Sequence, residues 1–196
     1  VCKSCGEKPW PLTEMCKKPA AETTMSEAIL KPMQRDKKLP NPKSASEMKQ
    51  FCSPGHYVHH TGWTRPLEFC IHDPVPDCCV SRAISRNSFW EIPFVRRFDD
   101  YIVKQLVGKK AQPIVFDIGA NMGQYGIVAA LRGYRVYMWE AMPATARLVW
   151  RTTQMNNLDN NVTIFENGIS DFRGAIDMTM EAGNTGHANI NVKRAN

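Results

Sequence analysis

No apolar run in this sequence approaches the roughly 18 to 20 residues that a membrane-spanning helix needs; the longest are of the kind formed by Ile127, Val128, Ala129, Ala130 and Leu131. A transmembrane span is therefore not expected. The chain also lacks an opening targeting segment, and it begins on Val1 rather than Met, so it reads as a fragment ahead of which a signal or anchor could stand. Aromatic side chains are missing from its basic runs. The net charge of +6 is concentrated at Lys17 and Lys18, between Lys31 and Lys43, and at Arg96 and Arg97. Without stacking partners these runs read as solvated or linker charge, and a nucleic-acid partner is not favoured.

Cysteine is absent after Cys79. All seven, Cys2, Cys5, Cys16, Cys52, Cys70, Cys78 and Cys79, lie ahead of the segment that carries the clearest motif. Cys2 and Cys5 have the spacing of half a zinc site, but no second pair completes it. His56, His59 and His60 likewise come without a cysteine or carboxylate at ligand spacing. No metal is expected. The cysteines read instead as disulfides of a protein in the secretory lumen or outside the cell, with one left over by their odd number; reduced cysteines in the cytoplasm are the alternative. Asn161, Val162 and Thr163 form an N-glycosylation triplet that agrees with a secretory setting.

What is present falls into three stretches. Residues 1–50 are broken by prolines and lysines and read as a stem or linker, with one short helix expected over Thr24 to Leu30. Residues 51–112 form a lead-in rich in Cys, His and aromatics, irregular at first. It then turns helical between Asp77 and Glu91 and again over Phe94 to Val107, where Val95, Phe98, Ile102 and Leu106 share a face. Residues 113–196 are α/β: a strand at Ile114 to Ile118, a helix at Tyr125 to Leu131, and a strand at Arg135 to Trp139. A helix at Pro143 to Asn156 and a strand at Val162 to Phe165 complete the series. That alternation is half of a doubly wound parallel sheet. A hairpin is expected beyond it, pairing Ala175 to Met180 with Ala188 to Val192 around Gly183 to Gly186.

In such a sheet the ligand crevice lies at the carboxyl ends of the strands, where Asp117, Gly119, Ala120, Asn121 and Gly123 form the first turn. Gly119 and Gly123 suit a sharp backbone and a close ligand, and the helix that follows offers amides to a carboxylate. Asp117 and Asn121 orient the loop or reach a ligand amine. Glu140, closing the second strand, suits the two hydroxyls of a ribose, as it would in a nicotinamide site too. The glycines separate these ligands. A dinucleotide fingerprint starting at Gly119 would need glycine at Asn121 and at Gln124, so the loop fits an amino-acid-plus-nucleoside ligand such as S-adenosylmethionine better than a pyrophosphate. After the third strand, Glu166, Asn167 and Gly168 could border the adenine.

The stretches Val115 to Gly123, Arg135 to Pro143, Asn156 with Asn157, and Asn167 to Asp171 with Gly174 resemble the FkbM-type methyltransferases. Upstream, Cys70 to Pro74, Asp77, Val80, Ser81, Trp90 and Glu91 are similar to the lead-in of the animal methyltransferase-like members. The resemblance spans about Cys70 to Val192. It implies a class I Rossmann-like methyltransferase half-domain, S-adenosylmethionine as cofactor, and methyl transfer to the hydroxyl of a small molecule, sugar or glycan. The family's later strand, close to Lys-Ile-Asp-x-Glu-Gly, is not reached, so the fragment reads as inactive alone, with the acceptor side outside it. No catalytic base stands out; Asp171, Glu181 and His187 qualify by residue type only. Two rival readings are a non-catalytic lumenal binding module that keeps the cofactor fold and a nicotinamide-dependent oxidoreductase.

Overall fold

Short apolar runs alternating with helical ones need a layered arrangement, because each strand and each helix has apolar surface to bury. The computed structural model describes residues 52, 57–75, 77, 79–106 and 111–171, with the strand backbones at 177–181 and 184–191. All of them fall in one unit of the chain, Lys31–Asn196. The expected helix over Thr24 to Leu30 and the cysteines at 2, 5, 16 and 78 lie outside the described residues.

Three parallel strands, β3 (Ile114–Ile118), β4 (Arg135–Trp139) and β5 (Val162–Phe165), form a sheet in that spatial order. Ile114 pairs with Arg135, and Val136 pairs with Val162. Between them run helices α3 (Gln124–Leu131) and α4 (Pro143–Met155). Right-handed crossovers progressing in one direction place both helices on the same face. Met138 of β4 accordingly lies near Gly123 and Gly126, with Val149 of α4 beside Gly123. α3 is apolar nearly all round, and six of its residues are buried, the pattern of a core helix. It ends at Gly133, whose φ of +86° allows Tyr134 N–H to reach back to the Ala129 carbonyl at 3.2 Å. α4 starts with Pro143 in its first turn, where a missing N–H costs nothing.

The lead-in belongs to the same hydrophobic core, since Leu67, Phe69, Ile84, Val95 and Ile102 cluster with Ile127, Met138, Val149 and Ile164. Helix α1 (Val80–Ser85) begins where Asp77, itself buried, accepts the Ser81 amide at 2.8 Å. The helical stretch expected between Asp77 and Glu91 is shorter than the sequence suggests. The chain leaves it at Asn87 (φ 57°) and turns again at Glu91 (φ 53°), and helix α2 (Ile92–Leu106) then starts two residues ahead of Phe94. Its buried face carries Val95 and Ile102, with Phe98 and Leu106 partly buried, as the spacing predicts.

The segment after Phe51, expected to be ordered but irregular, contains regular strands. β1 (Tyr57–His60) and β2 (Leu67–Cys70) form an antiparallel hairpin in which Tyr57 pairs with Cys70 and His60 with Leu67. Two strands of four residues are too few to hold together alone. Helix α4 completes them: the Asn156 side chain accepts the Glu68 amide at 3.0 Å and donates to the Glu68 carbonyl at 2.7 Å. The Thr152 hydroxyl accepts the Cys70 amide at 3.1 Å. A Cys52–Cys70 disulfide closes this region, with the Met155 sulfur 3.5 Å from Cys70 Sγ. His60 is fully buried, stacked on Phe89 at 4.8 Å and donating from Nε2 to the Ser88 carbonyl at 3.1 Å.

Among the described residues the opposite face of the sheet is open at β3. Ile114, Phe116 and Ile118 point away from α3 and are 54%, 64% and 65% exposed, and Phe116 touches the rings of Tyr137 and Trp139. Among the described residues no strand pairs with the outer edge of β3. A separate hairpin, β6 (Asp177–Glu181) and β7 (Asn184–Asn191), follows. Its turn is tighter than expected, since pairing extends to Glu181 with Asn184 across a register shift after Met180. No described helix is long and apolar enough to cross a membrane.

Candidate functional site

β3 ends at the turn where the helix-bearing sheet places its crevice. The backbone there winds through three left-handed residues, Gly119 (φ 76°), Asn121 (φ 50°) and Gly123 (φ 73°). Their amides and those between them are all engaged. Gly119 and Ala120 N–H both donate to the Trp139 carbonyl at 2.9 Å, and Gly123 N–H donates to the Ala120 carbonyl at 2.7 Å. Asn121 N–H donates to Glu140 Oε2 at 2.7 Å, and Met122 N–H to the Asn121 side-chain oxygen at 2.7 Å. The loop is thus laced to the end of β4. It keeps no row of free amides for a phosphate, which a dinucleotide loop needs.

Each expected residue has a definite place in this arrangement. Asp117 points beneath the loop: its Oδ2 accepts the Gly126 amide at 2.9 Å and so caps the first turn of α3. Burial raises the Asp117 pKa above the ordinary carboxylate value; the Gly126 hydrogen bond opposes that rise and the nearby Glu140 charge adds to it. Glu140 is buried, with Oε2 on Asn121 N–H and Oε1 on Met142 N–H at 2.8 Å. Each oxygen keeps a further lone pair for a hydroxyl. Ala120 is buried in the turn. Gly119 is the open point, because a Cβ built there meets nothing within 4 Å, whereas one at Gly123 would lie 2.8 Å from Val149 Cγ1.

Asn167 stands at the carboxyl end of β5, half-buried, and its side-chain amide donates to the Gly168 carbonyl at 3.0 Å. Beside it, Glu166 lies 3.8 Å from Arg147. Of the candidates for a base, Asp171 is exposed and accepts the Ser170 hydroxyl at 3.2 Å, and the side chains of Glu181 and His187 lie outside the described residues.

Two members of the site escape a reading of the sequence. Gly126 faces β4 so closely that a Cβ would press into Met138 Cε and lie 2.9 Å from Asp117 Oδ2. Its position three residues after Gly123, on the sheet side of the helix, was the available signal. The second is the Trp90–Glu91 turn, which Gln124 holds by donating from Nε2 to the Trp90 carbonyl at 3.1 Å. Burial raises the Tyr125 phenol pKa, and the charges of Glu91 and Asp117 add to the rise, so both carboxylates lie within electrostatic reach of that ring.

Glu91 and Asp117 thus lie within electrostatic reach of Tyr125, and Glu140 within reach of Asp117. Arg132, the basic residue closing α3, is instead held by Asp99 of α2 at 2.6 Å. A cavity of about 680 Å³ opens between α2 and β3, lined by Phe98, Tyr101, Ile102 and Ile114 among others. It lies at the amino end of β3, away from Gly119 and the crevice. Comparison with family models, with curated proteins and with solved structures found no match to this chain.

Proposed function

We propose that the chain carries the donor-binding half of an S-adenosylmethionine-dependent methyltransferase of the FkbM type, acting on a hydroxyl of a small molecule, sugar or glycan. The observation that carries this reading is the complete engagement of the loop amides from Gly119 to Gly123. A pyrophosphate would have to displace those bonds. A nucleoside joined to an amino acid need not, because its ribose hydroxyls fit the free lone pairs of Glu140 and its body passes over Gly119, where no side chain intervenes. Of the first-turn amides of α3, Gly126 and Ile127 already have acceptors in Asp117 and the Gly123 carbonyl. The amides ahead of them, at Gln124 and Tyr125, would receive the ligand's carboxylate.

Charge supports the same choice. The buried Glu140 carboxylate at the loop favours the cationic methyl donor over a pyrophosphate. The residues of this chain bind and orient; the bound donor supplies the activated methyl, and transfer is an in-line displacement that alignment accelerates. Asn167 would lie along the adenine. In this reading the free edge of β3 and its open apolar face receive the strands and helices that build the acceptor side, since parallel sheets are covered on both faces. The Cys52–Cys70 disulfide supports a secretory lumen or extracellular setting.

Thermal unfolding of the full-length protein tests the proposal. S-adenosylhomocysteine at about 100 times its Kd should stabilise the fold by about 2.7 kcal/mol, and NADH at the same concentration should leave the midpoint unmoved. Stabilisation by NADH alone would replace this reading with an oxidoreductase.

A further inference from the structure

The one N-x-S/T triplet in the sequence, Asn161, Val162 and Thr163, runs from the turn at 159–161 into β5, at the end of the sheet opposite the crevice. Three observations bear on it. First, the period of a strand puts residues i and i+2 on one side and the residue between them on the other. Val162 is 4% exposed and packs in the core, whereas Asn161, in the turn just ahead of β5, and Thr163 are both half-exposed. Second, the backbone of Asn161 is fixed, its N–H donating to the Leu158 carbonyl at 2.9 Å and its carbonyl accepting Val136 N–H at 2.8 Å. Its side-chain amide makes no hydrogen bond among the described residues, so a substituent there displaces no internal hydrogen bond. Third, the chain contains a disulfide between Cys52 and Cys70, which is at home in the oxidising compartment where N-glycosylation occurs.

We infer that Asn161 carries an N-linked glycan. The reaction is substitution at the anomeric carbon of a lipid-diphosphate-linked oligosaccharide, performed by the glycosylating machinery of the secretory lumen. The bond from Nδ2 of Asn161 to that carbon forms, the bond from the carbon to the diphosphate oxygen breaks, the lipid diphosphate leaves with the electron pair, and an Nδ2 proton passes to the transferase. Modification takes place on the extended chain, before β5 pairs with β4, so the strand that later forms is no obstacle. In the folded protein the glycan projects from the turn at 159–161. The four residues of β5 separate it from the crevice by about 13 Å of strand, and the donor site stays open. The inference does not depend on the methyltransferase reading and can fail separately from it.

The test is expression of the full natural reading frame in animal cells, followed by digestion with a peptide-N-glycosidase. The protein should lose the mass of one glycan, with conversion of Asn161 to aspartate in the peptide that spans it. Asn161→Gln and Thr163→Ala should both run at the digested position before treatment, while Thr163→Ser keeps the glycan. A wild-type protein whose mobility and Asn161 peptide are unchanged by the enzyme would overturn the inference. So would a glycan that persists in Asn161→Gln.

Discussion

The loop after β3 and the hairpin clamped on α4 solve one problem, unpaired backbone polar groups, in opposite ways. At β2, side chains of α4 finish the hydrogen bonding of a short strand, and the space is then filled: Leu67, Phe69, Cys70 and Ile71 are all 0% exposed. At Gly119 to Gly123, the Trp139 carbonyl and the Glu140 carboxylate satisfy a left-handed backbone and leave room above it. The first arrangement holds the fold together. The second holds an unfavourable conformation in place around an opening, which is what a binding site requires. Damage to the clamp should therefore lower stability and spare ligand affinity, and damage at Gly119 should do the reverse.

The largest expected effect on stability comes from the disulfide. Replacing Cys52 and Cys70 by serine releases a loop with a sequence separation of 18 and should cost about 3 kcal/mol, read as a lower urea midpoint at unchanged slope. A loss of S-adenosylhomocysteine affinity in this variant, measured where it is folded, would break the separation between the two regions.

Asn156→Ala comes next. It strips the side-chain partners from the Glu68 amide and carbonyl together, while the Thr152 carbonyl keeps the backbone N–H of residue 156, and part-buried backbone groups left unpaired should cost about 2 kcal/mol. Because Asn156 and the disulfide secure the same strand, the combined variant should lose less than the sum of the two. Additive losses would mean that they act on different parts of the fold.

A smaller effect is expected from His60. Burial lowers its pKa from the ordinary value of 6.5, and the Ser88 carbonyl only partly offsets this. The unfolded chain therefore takes up the proton more readily than the folded one. The contribution is complete above pH 6.5 and is lost as the pH falls from there through the lower folded value. The thermal midpoint of wild type should fall over that window more steeply than that of His60→Phe, and parallel profiles would remove His60 from the account.

Legibility in the sequence followed the same division. β3, β4 and β5 are readable to the residue because strands of a parallel sheet are apolar runs bounded by turn residues, and Gly119, Gly123 and Glu140 stand out by spacing. The β1–β2 hairpin is not readable. Its strands Tyr57–His60 and Leu67–Cys70 carry no clean alternation, and the groups that stabilise them come from Thr152 and Asn156, more than eighty positions away. The turn at Glu91 is hidden for a related reason: it is fastened by Gln124, a residue of the later helix. Asp117 and Asn121 could be placed at the loop but not assigned between holding it and touching a ligand. The structure has Asp117 capping α3 through Gly126 and Asn121 bridging to Glu140, both of them holding the loop.

The central claim is that the opening above Gly119 receives the methyl donor. Calorimetric titration of the full-length protein with S-adenosylhomocysteine, beside the Gly119→Val variant, tests it most directly. A Cβ there meets no protein atom within 4 Å, and a valine side chain would occupy the ligand's path, so affinity should fall by about 100-fold or more, equivalent to about 2.7 kcal/mol. The left-handed φ of 76° adds strain of about 1 to 2 kcal/mol to the variant's fold, visible as a modest drop in its unfolding midpoint. Equal affinities in the two proteins, or a wild type that binds NADH and ignores S-adenosylhomocysteine, would contradict the claim.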